Sequence, residues 1–332
     1  MPMEKTTLVV TVRDRFSTTQ RCLDALLKHT ELPYDLLVVF GGTPPGMQAD
    51  LTTRYGDKAQ FTFQEGLMNP AQSRNLGLRM AKTRLAVLID NDVYVRPGWL
   101  ESLVRCQQET GAAMVVPIVL ETEHVIHTAG NDLLITHKDG VAYAQKVLRY
   151  CKQELYEDSN LKRCPTDYGE LHCQLVDVEA ALRSEVFDER LREAGEVDSG
   201  LSWAKGGCSM WFEPASTVFF DFPGRIDQVE DIRPFIFKWD MDAIREGYDY
   251  FRNKWDLDIT ECGHWIEYNT HLNNKLGLLS RLWPSKAALA VDNASYACRR
   301  VFSWPVVLWR RFKNRLFGYD RWKRNIKKGE SA

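Results

Sequence analysis

Leu85-Ala86-Val87-Leu88-Ile89-Asp90-Asn91-Asp92 decides how this chain is read. An unbroken apolar run of this kind describes a strand covered on both faces, as in a parallel sheet. Such a strand cannot use two carboxylates one residue apart, so Asp90 and Asp92 mark the place where it gives way to a loop. Carboxylates paired in this way suit a hard divalent cation and the phosphates it carries. A bare Asp-x-Asp is also a common solvated turn, and the neighbouring sequence must carry the argument further.

On the N-terminal side the chain alternates strand and helix. Thr6 to Val12 is a β-branched apolar run, Ser17 is placed to cap a helix through about His29, and Asp35 to Phe40 is a second apolar run. That run ends in the loop Gly41-Gly42-Thr43-Pro44-Pro45-Gly46. A short helix near Met47 to Tyr55 and a strand near Ala59 to Gln64 follow. Then comes a helix with Asn69 as cap and Pro70 in its first position, leading into the Leu85–Ile89 strand. Beyond the aspartates, Pro97 opens another helix and Ala112 to Val119 is another buried strand. This order predicts an α/β fold: a mostly parallel, Rossmann-like sheet with helices on both faces and its ligands at the carboxyl ends of the strands. From Glu121 to Val176 the pattern weakens into short strands and polar loops, and periodicity returns with Val178 to Phe187 and again after Val197. No flexible linker is evident before about residue 275.

The segment from Gln64 to Leu100 supplies the missing context. It contains Asn69-Pro70-Ala71-Gln72-Ser73-Arg74-Asn75-Leu76-Gly77, the strand, Asp90-Asn91-Asp92, and Arg96-Pro97-Gly98-Trp99-Leu100. This resembles the donor-binding core of family 2 glycosyltransferases with the GT-A fold, in which N-x-G-x-x-x-A-R-N-x-G leads into hydrophobic-x-D-x-D and P-x-W-L. The resemblance covers about residues 5 to 225. Together with the absence of a linker before about residue 275, it leads to an expected catalytic domain over 1–275, with a donor half at about 1–120 and an acceptor half at about 121–275. It also implies a nucleotide-diphosphate sugar as donor, Mn2+ or Mg2+ as cofactor, and a hydroxyl of a glycan or lipid-linked glycan as acceptor. Thr11 and Arg13 match the loop that contacts base and ribose, and Arg74 matches the arginine that meets the nucleotide or diphosphate, for which a guanidinium fork is suited. Asp90 matches the carboxylate facing the ribose, and Asp92 the one that holds the metal.

Further on, Gly195-Glu196-Val197-Asp198-Ser199-Gly200-Leu201 resembles the family's E-D-x-D-L-x-x-R-x-x-x-G, in which an acidic residue at a helix start deprotonates the acceptor. Alignment puts Glu196 on the base position and Asp198 two residues later, and the resemblance implies inversion at the sugar. The plainer alternative is two acids favoured electrostatically at a helix N-terminus. The chain departs from the family twice. Where the family has D-D-x-S after its second strand, this chain has Phe40-Gly41-Gly42-Thr43, which leaves the donor's base open. Where many members place a histidine metal ligand after a P-x-A-x-V strand, Pro214-Ala215-Ser216-Thr217-Val218 leads to Asp221, an oxygen ligand that can stand in.

Bulk properties narrow the rest. The chain has 332 residues and is 44% hydrophobic, enough for one large α/β domain with appendages. No apolar run approaches the length of a membrane span, and the start lacks the apolar stretch of a secretory signal, so the expected place is the cytosol. The 8 cysteines show no framework and read as reduced thiols. Cys151, Cys164, His172 and Cys173 lack paired zinc-knuckle spacing, and His124 and His127 read as strand residues. There is no dinucleotide fingerprint and no Walker lysine motif, which argues against a dehydrogenase or a P-loop enzyme. A nucleotidyltransferase of similar fold, a retaining transferase, which would have no use for a base at Glu196, and a noncatalytic carbohydrate-binding module are the remaining alternatives.

The net charge of -2 conceals an asymmetry. Residues 281–332 hold 13 Lys/Arg against 3 acids, a net of +10, which leaves 30 basic and 42 acidic residues in the rest, a net of -12. From Ser303-Trp304-Pro305 onward, Phe302, Val306, Trp309, Phe312 and Leu316 form an apolar stripe at helical spacing, with Arg310, Arg311, Lys313 and Arg315 around it. This basic, aromatic tail over 276–332 is expected to be an amphipathic helix that lies on an anionic membrane surface or docks on the acidic body; no nucleic-acid module is present.

Overall fold

The computed structural model describes residues 4–155, 161–222, 226–259 and 264–296. The first hundred residues alternate as expected: β1 (Thr6–Thr11), α1 (Thr19–His29), β2 (Tyr34–Gly41), α2 (Pro45–Tyr55), β3 (Gln60–Gln64), α3 (Pro70–Met80) and β4 (Leu85–Asp90). Then follow β5 (Val93–Val95), α4 (Trp99–Thr110), β6 (Met114–Leu120), β7 (Ile126–Thr128), β8 (Asn131–Lys138), β9 (Val141–Leu148), β10 (Cys164–Pro165) and β11 (Cys173–Asp177). The last elements are α5 (Val178–Arg183), α6 (Gly195–Lys205), β12 (Met210–Phe220), α7 (Ile232–Lys238), α8 (Met241–Trp255), α9 (His264–Asn273) and α10 (Leu278–Leu282). The chain divides into two compact units, Met1–Gly224 with Glu230–Asn274, and Arg225–Val229 with Lys275–Ala332.

The first unit is built on one sheet in the order β10-β12-β6-β11-β4-β1-β2-β3, with β5 beside β12 and β7 beside β6. Strands β3, β2, β1 and β4 are parallel throughout, and the inner three, β2, β1 and β4, are covered on both faces, which explains their apolar runs, while the edge strand β3 alternates as Gln60-Phe61-Thr62-Phe63-Gln64. β11 enters between β4 and β6 and is antiparallel to both. Alternation along β1 sends Leu8 and Val10 to one face, with Cys22, Leu23 and Leu26 of α1, and Val9 to the other, with Leu78 of α3. Gly77 lets α3 lie this close, because a Cβ there would sit 2.2 Å from Val9 Cγ1.

The start of α3 follows the sequence closely. The Asn69 side chain accepts from the Gln72 N–H while the Gln72 side chain accepts from the Asn69 N–H, a reciprocal cap, with Pro70 next in line. Ser17 does not cap α1, which begins at Thr19 without a side-chain cap. Its hydroxyl instead donates to Asp231 at 2.6 Å, and the same carboxylate accepts from the N–H groups of Phe16 and Ser17. A carboxylate 214 residues away outcompetes a local cap because it satisfies three donors at once. The weakly patterned middle of the chain forms a two-stranded antiparallel ribbon, β8–β9.

In the second unit, α10 and the helical residues 286–296 are joined by Asp292, whose carboxylate accepts from the Ser280 N–H at 2.7 Å. The amphipathic stripe expected from Phe302 to Leu316 lies outside the described residues. Among the described residues no helix is long and apolar enough to cross a membrane.

Candidate active site

β1 and β4 are parallel neighbours with Thr11 opposite Asp90, so both strands end on the same edge. Asn91, between the two aspartates, is fully buried and braces the loop after β1. Its amide donates to Arg15 O at 2.6 Å and Thr19 Oγ1 at 2.9 Å, and its oxygen accepts from the Arg13 N–H at 3.2 Å. The middle residue of the Asp-Asn-Asp triplet thus fixes Arg13 beside the two carboxylates that flank it.

Asp90 receives Arg74 from α3, whose Nη2 donates at 2.5 Å to Oδ1 and at 3.0 Å to Leu171 O. His172 Nδ1 stands 3.6 Å from Asp90 Oδ2. Burial by itself would raise the Asp90 carboxyl, but Arg74 and His172 outweigh it and hold Asp90 below the ordinary carboxylate range. Asp92 has weaker support: Arg13 Nη1 at 3.4 Å and Arg15 Nη2 at 3.7 Å. Burial pushes its carboxyl up to about 7 against the pull of Arg13, and its Oδ1 meets no partner among the described residues.

A cavity of about 340 Å³ opens beside this edge, lined by Arg13, Arg74, Asp90, His172, Lys146, Glu170, Glu196, Trp239 and Tyr268 among others. That volume suits a small ligand. Arg13 lies over the rings of Phe220 and Trp239, with its guanidinium carbon 4.8 and 5.7 Å from their centroids. Glu196 sits in the first turn of α6, just after Ala194 with φ 63°. Lys146 from β9 donates to Glu196 and stands 3.2 Å from Glu170. One cavity therefore brings Arg13 and Arg74, whose guanidiniums suit phosphate, together with the Glu196 carboxylate, which is paired with Lys146.

Residues 7–161 match the model of glycosyl transferase family 2. They form a family 2 glycosyltransferase domain. Glycosyltransferase GlyG of Streptococcus pneumoniae serotype 4 (strain ATCC BAA-334 / TIGR4) is 26% identical over 97 residues, 29% of this chain and 32% of that protein. The crystal structure of GalNAc-T7 with UDP, GalNAc and Mn2+ shares the fold with a TM-score of 0.53 at 14% identity, covering 81% of this chain and 55% of the other. The chain thus spans about a third of the first of these relatives and about half of the second. The likeness to the second is one of GT-A architecture.

Within the family 2 domain and the elements packed on it, Arg13, Arg74, Asp90 and Glu196 come together around one cavity. Thr11 and Asp92 are buried behind it: Thr11 O accepts from the Asn91 N–H at 2.8 Å. Asp198 and Asp221 do not line this cavity. The buried Asp198 carboxylate accepts from Lys254 Nζ at 2.6 Å and Trp255 Nε1 at 2.8 Å. The helical turn that points Glu196 inward carries the second residue on to α8. Asp221 meets Asp92 through the backbone only, its N–H donating to Asp92 O at 2.8 Å, while its carboxylate accepts from the Tyr94 hydroxyl at 2.8 Å.

His127, Glu170 and His172 are cavity residues that the sequence reading passed over. His127 is indeed a strand residue, in β7, but its ring faces His172 at 5.3 Å. Glu170-Leu171-His172 precedes β11 with a carboxylate and an imidazole one residue apart, a spacing like that of Asp90-Asn91-Asp92. The antiparallel entry of β11 puts His172 against Asp90, whose N–H donates to His172 O at 3.0 Å.

Proposed function

We propose that this chain transfers one sugar from a nucleotide-diphosphate donor to a hydroxyl of a glycan or lipid-linked glycan, with inversion and with the help of a divalent cation. The observation that carries the reading is the joint lining of one cavity by Arg13, Arg74 and Glu196. Arg74, locked on Asp90, presents a fixed guanidinium for diphosphate oxygens. Glu196 takes the proton of the acceptor hydroxyl as its oxygen bonds to the anomeric carbon. The bond from that carbon to the diphosphate oxygen breaks on the opposite side, its electron pair leaving with the nucleoside diphosphate. Phe40 supports a donor base recognised by something other than a carboxylate at the end of β2, since it is buried at 6.2 Å from the Phe16 ring.

The donor set suits a cation. Ligand atoms of Asp90, Asp92 and His172 lie within 4.8 Å of one another, and Asp92 Oδ1 has no partner among the described residues. Mn2+ or Mg2+ held there would neutralise the leaving diphosphate, and the imidazole favours Mn2+. Residues 1–275 carry the reaction in this reading, the donor on about 1–120 and the acceptor on about 121–275, and the basic tail over 276–332 holds the protein near an anionic membrane surface. Melting curves with a panel of nucleoside diphosphates, each with and without Mn2+, test the proposal. A ligand at a hundred times its dissociation constant stabilises by about 2.7 kcal/mol. If no nucleoside diphosphate raises the melting temperature in either condition, the donor assignment fails.

A further inference from the structure

His127, Glu170 and His172 bring their ligand atoms within 4.8 Å of one another. Two imidazoles and one carboxylate are a donor set for a first-row transition ion, and softer than the all-oxygen surroundings preferred by Mg2+ or Ca2+. The three come from two places: His127 from β7, and Glu170 and His172 from the turn leading into β11. His127 is already oriented as a ligand should be. Its Nδ1 is 2.8 Å from Glu121 Oε1, so the carboxylate accepts the Nδ1 proton and the Nε2 lone pair is left for another partner. A carboxylate behind an imidazole is the usual outer support of a metal-bound histidine. Glu121 is itself held by Lys152.

The rings are fixed as well. His172 stacks on Phe220 at 4.0 Å, His127 packs on the same ring at 5.4 Å, and the two imidazoles meet edge to face. His172 is buried, and its Nδ1, 3.6 Å from Asp90 Oδ2, has no hydrogen-bond partner among the described residues. We infer that His127, Glu170 and His172 form a second cation site, for Zn2+ or a similar transition ion, which shares His172 with the Asp90/Asp92 set and so competes with it for that imidazole. It needs a contraction of about 1 Å to bring the donors to the roughly 2 Å bond lengths of such an ion. The inference stands apart from the sugar-transfer reading, because binding of the ion is measured without donor or acceptor.

The test uses the full chain and Zn2+ itself, titrated against a competing chelator, with Mg2+ in excess. One equivalent should bind to the wild type. His127→Gln and Glu170→Gln should each weaken Zn2+ at least tenfold, and Glu121→Gln, which removes the charged support of His127 together with the ion pair to Lys152, should weaken it about tenfold. Asp92→Asn should leave the Zn2+ affinity within about threefold of wild type. Equal Zn2+ affinity in wild type and His127→Gln would overturn the site, as would a loss in Asp92→Asn as large as that in His127→Gln. X-ray absorption of the wild-type Zn2+ complex reads the ligands directly and does not depend on any variant folding. Two imidazole nitrogens and no sulfur are expected; thiolate scattering would instead place the ion on cysteine and refute the assignment.

Discussion

Arg74 and Asp90 form a buried ion pair, Nη2 to Oδ1 at 2.5 Å, that ties α3 to the end of β4. Both side chains are almost wholly excluded from solvent. Removing one partner strands the other's charge, so Arg74→Ala should destabilise the fold by about 3–5 kcal/mol. Chemical denaturation measures the loss; a change under about 1 kcal/mol would mean that Asp90 is compensated elsewhere. Arg74→Lys should recover part of the stability and little nucleotide affinity, because one ammonium cannot reproduce the fork.

Asp92→Asn should weaken Mn2+-dependent nucleoside diphosphate binding by at least tenfold while leaving metal-free binding nearly unchanged. Calorimetry with and without Mn2+ reads both. Retention of the wild-type metal dependence would remove Asp92 from the cation site.

Glu196 and Asp198 should separate cleanly. Glu196→Gln is expected to keep donor binding and to lower turnover roughly a hundredfold, the scale of a lost general base. Asp198→Asn should instead reduce stability by about 1–3 kcal/mol, because it loosens the contact of α6 with Lys254 and Trp255 on α8. A large fall in turnover for Asp198→Asn at unchanged melting temperature would reverse the two roles.

Asp188 gives a pH signature. Burial opposes its ionisation, but hydrogen bonds from Arg190, Tyr250 and Lys254 prevail and depress the carboxyl below its ordinary value. A group with a depressed folded-state pKa stabilises in full above its unfolded value of about 4, and that contribution declines as the pH falls from there toward the lower folded-state value. Asp188→Asn should therefore melt earlier than wild type at pH 7, and the gap should narrow on going to pH 3. A gap that stays constant with pH would show that the carboxylate's charge contributes nothing.

The tail is tested by truncation near residue 298 and sedimentation with anionic vesicles. The full chain should pellet at low salt and be released as salt rises, since each basic residue at such a surface adds about 1 kcal/mol that ions screen. Equal, salt-insensitive behaviour of the two chains would rule the tail out as an anchor.

The sequence by itself determined the parallel half of the sheet, the cap at Asn69, and the place of Asp90 and Asp92. Each of these is written in a few adjacent residues: an apolar run, a capping pair, a polar break at a strand end. Tertiary structure decided which acids face the cavity. Glu196 and Asp198 are alike on paper, and only the packing of α8 against α6 sends Asp198 to Lys254 and Trp255. It also decided that Asp221 goes to Tyr94, that Ser17 goes to Asp231, and that β11 enters antiparallel and sets His172 against Asp90. Strand order and long-range pairing depend on which surfaces bury one another, and partners as far apart in sequence as His127 and His172 leave no local periodicity by which they can be found.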